Sequence, residues 1–173
     1  LKKFNLKIVI PIILLAIISI STIYCASMYT SSSMGILTMK QSLWYLIGGV
    51  LVFIITKLKN EFLYRHTWFL YIFGNILLVG LLFFGTPINN SKCWYTIPGI
   101  GSFQPSEFMK IFLMLALATM IHNFRSDYKN PDAKDEFIFL LKSLVIVGIP
   151  SVLTFLQPDT GAVIIYLVIY IVM

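Results

Sequence analysis

Apolar runs separated by short polar segments constrain the fold of this sequence more than any other feature. A membrane-spanning helix needs about 20 mostly apolar residues. We predict spans at residues 8–29, 42–56, 67–84, 105–122 and 137–156, with a sixth run opening after residue 157. Only 12% of the residues are charged, whereas soluble domains average about 25%. The expected fold is therefore an all-α, polytopic transmembrane helical bundle with about six spans.

The two ends of the sequence refine this expectation. The first apolar run is longer than the core of a signal peptide, which favours a retained first helix over a cleaved one. The last run has about 14 residues after its polar start at 157–160, which is too few to cross a bilayer. We therefore expect residues 1–173 to form a single transmembrane domain that is the N-terminal portion of a larger protein.

Basic residues outside the spans predict the orientation. With a cytoplasmic N-terminus, nine of them lie in inner segments and three lie in or near outer segments, which fits the excess of basic residues on the inner side of membrane proteins. The inner set is Lys2, Lys3, Lys7, Lys57, Lys59, Arg65, Arg125, Lys129 and Lys134, and the outer set is Lys40, Lys92 and Lys110. The net charge of +6 then suits membrane lipids. No nucleic-acid partner is expected, because no basic face with exposed aromatic residues is present.

The remaining polar residues carry weaker signals. Cys25 and Cys93 are too few for a disulfide framework and lack metal-ligand spacing, so two separate thiols are favoured over a bridge. Asn75, inside the third span, is expected to make one interhelical hydrogen bond. Loops are predicted at 30–41, 57–66, 85–103 and 123–136.

The stretch Gln104–Lys110, which reads QPSEFMK, carries the main candidate site. Glu107 and Lys110 are three residues apart and therefore share a helix face. Pro105 suits the first helical position, so Glu107 reaches the third, where the helix dipole favours an acid. The acid could therefore simply stabilise the helix start. In a membrane, however, a lone Lys110 would be costly, and this favours a functional ion pair.

A second Gln-Pro segment, QPDT at 157–160, opens the sixth run with the same pattern. Asp159 is expected at the second helical position. If the two helices pack together, their positive ends and the Lys110 ammonium converge on one outer pocket. Helix N-termini bind phosphate groups, so the expected ligand is an anionic headgroup such as a lipid pyrophosphate. Lys92 in the preceding loop could add to this positive charge.

Two segments resemble the SEDS family of shape, elongation, division and sporulation proteins (RodA/FtsW/SpoVE). They are SKCWYTIPGIGSFQPSEFMKIFLMLALA at 91–118 and LQPDTGAVIIY at 156–166. The matching residues are Trp94, Gln104, Pro105, Ser106, Glu107, Lys110, Gln157, Pro158, Asp159 and Gly161. The arginine that precedes the tryptophan in the family is absent, and Lys92 and Cys93 occupy that neighbourhood. A lysine does not provide the bidentate phosphate contact of an arginine.

The resemblance implies an enzyme of the bacterial cytoplasmic membrane that polymerises peptidoglycan glycan strands from lipid II. Its implied partners are a class B penicillin-binding protein, lipid II and membrane lipids, and a divalent cation (Mg or Mn) is implied for the full-length enzyme. It also implies a catalytic role for a buried Glu107–Lys110 pair and for Asp159. The substrate-binding candidates are Lys92, Trp94, Gln104, Ser106 and Gln157. No metal-binding residues are evident in the sequence.

Family members have about ten spans, and their proposed catalytic aspartate lies in an outer loop of the second half. This chain alone is therefore expected to be inactive. The QPSEFMKI region favours the elongation type over the division and sporulation types. Two other functions stay open: a lipid II flippase, which would need polar groups across the membrane, and a non-catalytic scaffold for a penicillin-binding protein.

Overall fold

The structure of the protein is a computed structural model that describes residues 6–28, 34–88, 91–97 and 101–173. The chain forms two compact units, Leu1–Lys59 and Asn60–Met173, called unit 1 and unit 2 below. The predictions that involve Lys2, Lys3 and residues 30–33 lie outside the described residues.

Six helices occupy the described residues. They are α1 (Leu6–Met28), α2 (Met34–Lys57), α3 (Asn60–Phe84), α4 (Pro105–Asp127), α5 (Ala133–Phe155) and α6 (Thr160–Val172). In this part of the chain, five helices are long and apolar enough to cross a membrane, whereas α6 is a shorter apolar helix. The prediction of an all-α, polytopic bundle with a short sixth run is confirmed.

Several predicted loops were too long, because polar residues extend the helices beyond their apolar parts. Helix α2 begins at Met34 rather than at residue 42, and α3 begins at Asn60 rather than at residue 67. The predicted loop at 123–136 shortens to 128–132. At its end, Asp132 and Asp135 form a capping box that starts α5.

The segment 85–103 was predicted to be a loop, but most of it forms a small antiparallel sheet. Its strands are β1 (Thr86–Ile88), β2 (Ser91–Ile97) and β3 (Gly101–Phe103), in the order β1-β2-β3. Strand β2 pairs with β3 through Tyr95–Phe103, Thr96–Ser102 and Ile97–Gly101. The glycines and prolines of this segment were assigned to turns, but Pro87 lies in β1 and Gly101 in β3. The pairing register could not be deduced from them.

Tyr95 fastens the sheet to α3. Its hydroxyl donates a hydrogen bond to the Leu77 carbonyl at 2.9 Å. Gly80 leaves room for this contact, since a Cβ at that position would overlap the Tyr95 hydroxyl. Burial raises the pKa of Tyr95 above its ordinary value, so the hydroxyl is protonated and can donate at neutral pH.

In unit 1, α1 and α2 pack against each other along their lengths. Gln41 Nε2 donates to Ser19 Oγ at 3.5 Å, which supplies one polar contact between the two helices. Nearly every large apolar side chain described in this unit is exposed. Such surfaces suit contact with lipid, where an apolar side chain gains nothing by being buried.

In unit 2, the antiparallel helices α3 and α4 form the closest helix pair. Gly74 allows the approach, because a Cβ there would lie 2.7 Å from Met109 Sδ and 2.8 Å from Phe112 Cδ2. Thr119 Oγ1 donates to Thr67 Oγ1 at 3.2 Å across the same interface. Small residues and interhelical hydrogen bonds of this kind are typical of packed membrane helices. The core that α5 and α6 complete contains Leu78, Met109, Leu113, Ala116, Leu117, Val147, Ala162 and Tyr166.

Pro150 lies inside α5 and leaves a backbone carbonyl without its helical donor. Proline has no N–H, so the carbonyl of Ile146, four residues earlier, loses its usual partner. The Tyr71 hydroxyl of α3 donates to this carbonyl at 2.9 Å. Asn75, one turn further along α3, donates within its own helix to the Tyr71 carbonyl at 2.8 Å. The predicted interhelical hydrogen bond is therefore made by Tyr71 and not by Asn75.

Candidate functional site

Asp159 joins the start of α4 to the start of α6. Its Oδ2 accepts hydrogen bonds from Gln104 Nε2 at 2.8 Å and from Ser106 Oγ at 3.1 Å. Its Oδ1 accepts the backbone N–H of Ala162 at 3.2 Å. The two Gln-Pro segments therefore lie together at one end of unit 2. The carboxylate is held by three donors, and its charge is further favoured by the positive end of α6.

The structure corrects the predicted position of Asp159. Pro158 precedes α6, so Asp159 is the N-cap of this helix and not its second residue. Pro105, by contrast, does open α4, and Glu107 lies in its first turn. Because the Asp159 carboxylate already occupies the α6 start, the expected anion cannot take that position. The α4 start receives no side-chain cap hydrogen bond.

Glu107 and Lys110 form the predicted ion pair on the first turns of α4. Lys110 Nζ lies 2.7 Å from Glu107 Oε1. The Glu107 side chain is 57% exposed and the Lys110 side chain is 19% exposed. The pair was expected to be buried, but Glu107 is exposed and only Lys110 is half-buried. The Glu107 carboxylate is therefore accessible to a ligand, whereas most of the Lys110 side chain is covered.

Further hydrogen bonds hold the starts of α4 and α6, which Asp159 joins, against α3 and the sheet. The Tyr166 hydroxyl donates to the Ser106 carbonyl at 3.0 Å. Gln157 Nε2 donates to the Leu78 carbonyl at 2.7 Å, and Cys93 Sγ donates to the Gln157 carbonyl at 2.9 Å. Gln157 is only 1% exposed. Its side chain therefore fixes the α5–α6 turn to α3, and the predicted contact with substrate is not open to it in this arrangement.

Lys92 and Trp94 lie on β2, on either side of Cys93. Alternate residues of a strand point to opposite faces. Cys93 is buried against the α5–α6 turn, so Lys92 and Trp94 belong to the other face of the strand. Lys92 is exposed and Trp94 is half-buried. The side chain of Lys92 is therefore directed away from Gln157.

The described residues do not form a divalent-cation site by themselves. They contain no group of three or more His, Cys, Asp and Glu side chains that could hold a metal ion. At this end of unit 2, one Glu107 oxygen is paired with Lys110, and the Asp159 carboxylate accepts hydrogen bonds from three donors. Both carboxylates are therefore already engaged with donors, and a site for Mg or Mn would need further ligands.

The sequence matches the model of the FtsW/RodA/SpoVE family, described as a cell cycle protein, over residues 4–173. The chain belongs to this family. As an FtsW/RodA/SpoVE protein, it is similar over nearly its whole length to solved structures of the same fold. The crystal structure of Thermus thermophilus rod shape determining protein RodA matches with a TM-score of 0.67 and 26% identity, over 89% of this chain and 48% of that one.

Curated FtsW/RodA/SpoVE relatives are named as glycosyltransferases. A probable peptidoglycan glycosyltransferase FtsW from Hydrogenovibrio crunogenus is 31% identical over 67% of this chain and 28% of its own length. A protein of the same name from Lactococcus lactis is 27% identical over 77% of this chain and 73% of its own length. Peptidoglycan glycosyltransferase MrdB from Helicobacter pylori is 31% identical over 79% of this chain and 35% of its own length. The chain thus spans about a third of two of these relatives.

Two residues of this FtsW/RodA/SpoVE site were missed in the sequence. Tyr166 follows Asp159 by seven residues, two helical turns, so helical spacing alone could have placed it on the same face. Cys93 was considered only as a disulfide or metal candidate. Its role as a donor to the Gln157 carbonyl depends on the strand β2, which was not predicted.

Proposed function

We propose that the protein containing this chain is a peptidoglycan glycosyltransferase that polymerises glycan strands from lipid II. In this proposal, the chain contributes part of the site that holds the pyrophosphate. The names of the curated relatives support the reaction class. The Lys110–Glu107 ion pair, next to the α4 start that has no side-chain cap, is the observation that carries the assignment of the site.

Lys110 is the residue to which we assign charge neutralisation. When a sugar hydroxyl attacks the anomeric carbon of lipid II, a new glycosidic C–O bond forms and the bond to the pyrophosphate breaks. The hydroxyl proton passes to a carboxylate base, a role that we assign to the second-half aspartate implied by the family resemblance. The electron pair of the broken bond remains on the pyrophosphate, whose negative charge rises as it leaves. An ammonium and a helix N-terminus directed at this group stabilise the charge in the transition state. Glu107 holds the ammonium in place from the same helix face.

Gln104, Ser106 and Asp159 are assigned a positioning role. Their hydrogen bonds fix the start of α4, and therefore the first two turns that carry Glu107 and Lys110, relative to α6. A displacement of about 1 Å at such a site can lower a rate about 100-fold. Lys92 and Trp94 are proposed to contact lipid II from the exposed face of β2.

The cellular setting follows from the same proposal. The chain is a multi-pass membrane protein, and we place its N-terminus in the cytoplasm and the joined helix starts at the outer surface of a bacterial cytoplasmic membrane. A class B penicillin-binding protein is the proposed partner; one structural neighbour was solved in a peptidoglycan synthase complex. The elongation type stays a prediction, because relatives named FtsW and MrdB both match.

Polymerisation of labelled lipid II by the full-length protein with its partner tests this assignment. We expect Lys110→Met to lower the rate of glycan formation at least 100-fold, which is the usual effect of removing one electrostatic contact to a transition state. Glu107→Gln should lower it about 100-fold, because it leaves the ammonium misplaced. Lys142→Met is the matched control, because this exposed lysine of α5 is remote from the α4 start. The amount of folded protein, measured by size-exclusion chromatography, should be equal for all three variants.

Wild-type glycan ladders from both site variants would refute the site assignment and favour the scaffold function. An equal loss of activity in Lys142→Met would show that general surface charge, and not this pair, is responsible.

A further inference from the structure

An open cavity with several polar lining residues lies at the end of unit 2 opposite to Asp159, where α3 begins and α4 ends. Its volume is about 650 Å³, and it is lined by Asn60, Glu61, Tyr64, Arg65 and His122. This size lies within the usual range for small-molecule pockets, about 300–1,000 Å³. The residues of the candidate glycosyltransferase site do not line it, so it requires a separate explanation.

The aromatic wall of this cavity is held in place by contacts between the two helices. The Tyr64 hydroxyl of α3 donates to Asn123 Oδ1 of α4 at 2.6 Å. The Tyr64 ring meets the His122 ring edge-on, with centroids 5.8 Å apart and an interplanar angle of 84°. The cavity is therefore a preformed feature of the α3–α4 pair.

The lining residues have a chemistry that suits a phosphate. Arg65 provides a planar guanidinium with several N–H donors, and among the described residues it forms no ion pair. His122 adds an imidazole, and the first backbone N–H groups of α3 lie at the same end of the helix. Glu61 carries the opposing charge. A carboxylate beside these donors would repel a bare phosphate but would accept hydrogen bonds from hydroxyl groups attached to it.

The position of the cavity indicates where its ligand comes from. The apolar part of α3 starts immediately after Arg65 and His66, with Thr67 and the 40% exposed Trp68. Tryptophan is enriched at the level of lipid headgroups. The cavity therefore lies at the boundary between membrane and water, where the phosphates of the surrounding lipids are located.

We propose that this cavity binds the headgroup of an anionic glycerophospholipid that carries free hydroxyl groups, such as phosphatidylglycerol. Arg65 and His122 donate to the phosphate oxygens, and Glu61 accepts a hydrogen bond from a headgroup hydroxyl. Arg65 supplies the positive charge, as basic residues between membrane helices do for anionic headgroups in other proteins. The site would fasten the α3–α4 pair to the bilayer surface at the end remote from the glycosyltransferase site.

Native mass spectrometry of the full-length protein, incubated in detergent with defined lipids, tests this proposal. We expect phosphatidylglycerol to be retained about fivefold more than phosphatidylcholine, the ratio that corresponds to about 1 kcal/mol per basic contact. Arg65→Ala should remove this preference. Lys134→Ala is the matched control, because this exposed lysine lies near the start of α5 and does not line the cavity; it should leave the preference unchanged.

Two further experiments test the role of Glu61 and distinguish a lipid headgroup from a soluble phosphate as the ligand. Glu61→Gln should lower the preference for phosphatidylglycerol over phosphatidic acid, whose headgroup lacks hydroxyls. Soluble glycerol phosphate at millimolar concentration should not displace the bound lipid. The proposal is overturned if Arg65→Ala and Lys134→Ala have equal effects, if Glu61→Gln leaves the preference unchanged, or if glycerol phosphate displaces the lipid.

Discussion

The hydrogen bond from Tyr71 to the Ile146 carbonyl gives a quantitative test of how α3 and α5 are held together. Tyr71→Phe removes only the hydroxyl group, because the aromatic ring stays in place. Tyr71 is 7% exposed, so water does not readily replace the donor. In this variant the Ile146 carbonyl has no donor: the Tyr71 hydroxyl is gone, and Pro150 has no N–H to replace it.

The expected loss in the free energy of unfolding follows from these contacts. A buried carbonyl left without a donor costs about 1–3 kcal/mol, whereas hydrogen bonds between membrane helices average about 0.6 and reach about 1.7 kcal/mol. We therefore expect Tyr71→Phe to cost about 1–1.7 kcal/mol. In a Pro150→Ala background, the alanine N–H can bond to the Ile146 carbonyl, and the same substitution should cost only a few tenths of a kcal/mol.

The assay is a double-mutant cycle on the full-length protein, unfolded by a denaturing detergent. The cycle cancels any separate effect of Pro150→Ala on α5. Tyr128→Phe is the matched control, because Tyr128 is 45% exposed, and its cost should be close to zero. An equal cost of Tyr71→Phe in both backgrounds would show that the hydroxyl does not compensate for the proline.

Two further predictions concern the supports of the candidate site. Asp159→Ala should lower the free energy of unfolding by about 1–3 kcal/mol, because it removes an N-cap and leaves Gln104 and Ser106 without their acceptor. Asp159→Asn should recover part of this loss. An unchanged unfolding midpoint for Asp159→Ala would contradict the observed contacts. Gly80→Ala should destabilise the protein, since the new Cβ overlaps the Tyr95 hydroxyl, whereas Gly148→Ala enters open space. Thermal unfolding monitored by fluorescence compares the two variants, and equal midpoints would contradict the packing of the sheet on α3.

Hydropathy predicted the spans well, because each span must contain enough apolar residues to cross the bilayer and can be recognised from its own sequence. It predicted the helix ends poorly for the same reason. Asn60, Glu61 and Arg65 are too polar for the hydrocarbon layer, yet they belong to α3 and extend it beyond its apolar part. The length of an apolar run in the sequence reflects the thickness of the hydrocarbon layer, whereas the helix itself can be longer.

The pairing of segments that are distant in the sequence was only partly predictable. Two similar helix starts suggested that α4 and α6 meet, and this was confirmed by the bonds from Gln104 and Ser106 to Asp159. The sequence pattern could not show that Asp159 itself fills the α6 start. The N-cap and the second helical position differ by two residues, and a Gln-Pro pattern permits either boundary.

Strand β2 was missed because its residues lack a clear alternation of apolar and polar side chains. Ser91–Ile97 contains two aromatic residues, one cysteine and one lysine between turn residues. Its pairing is imposed by β3 and by contacts of Cys93 and Tyr95 with the helices. Contacts of this kind come from tertiary structure, which local sequence preferences do not record.

The burial of Cys93 makes this thiol a natural reporter for motion of the sheet. It is 3% exposed and donates to the carbonyl of Gln157, so a maleimide reagent can reach it only when β2 separates from the α5–α6 turn. Once the exposed Cys25 is replaced by serine, the rate of alkylation would thus follow the separation of β2 from the α5–α6 turn. Ligands that clamp the two helix starts together should slow it.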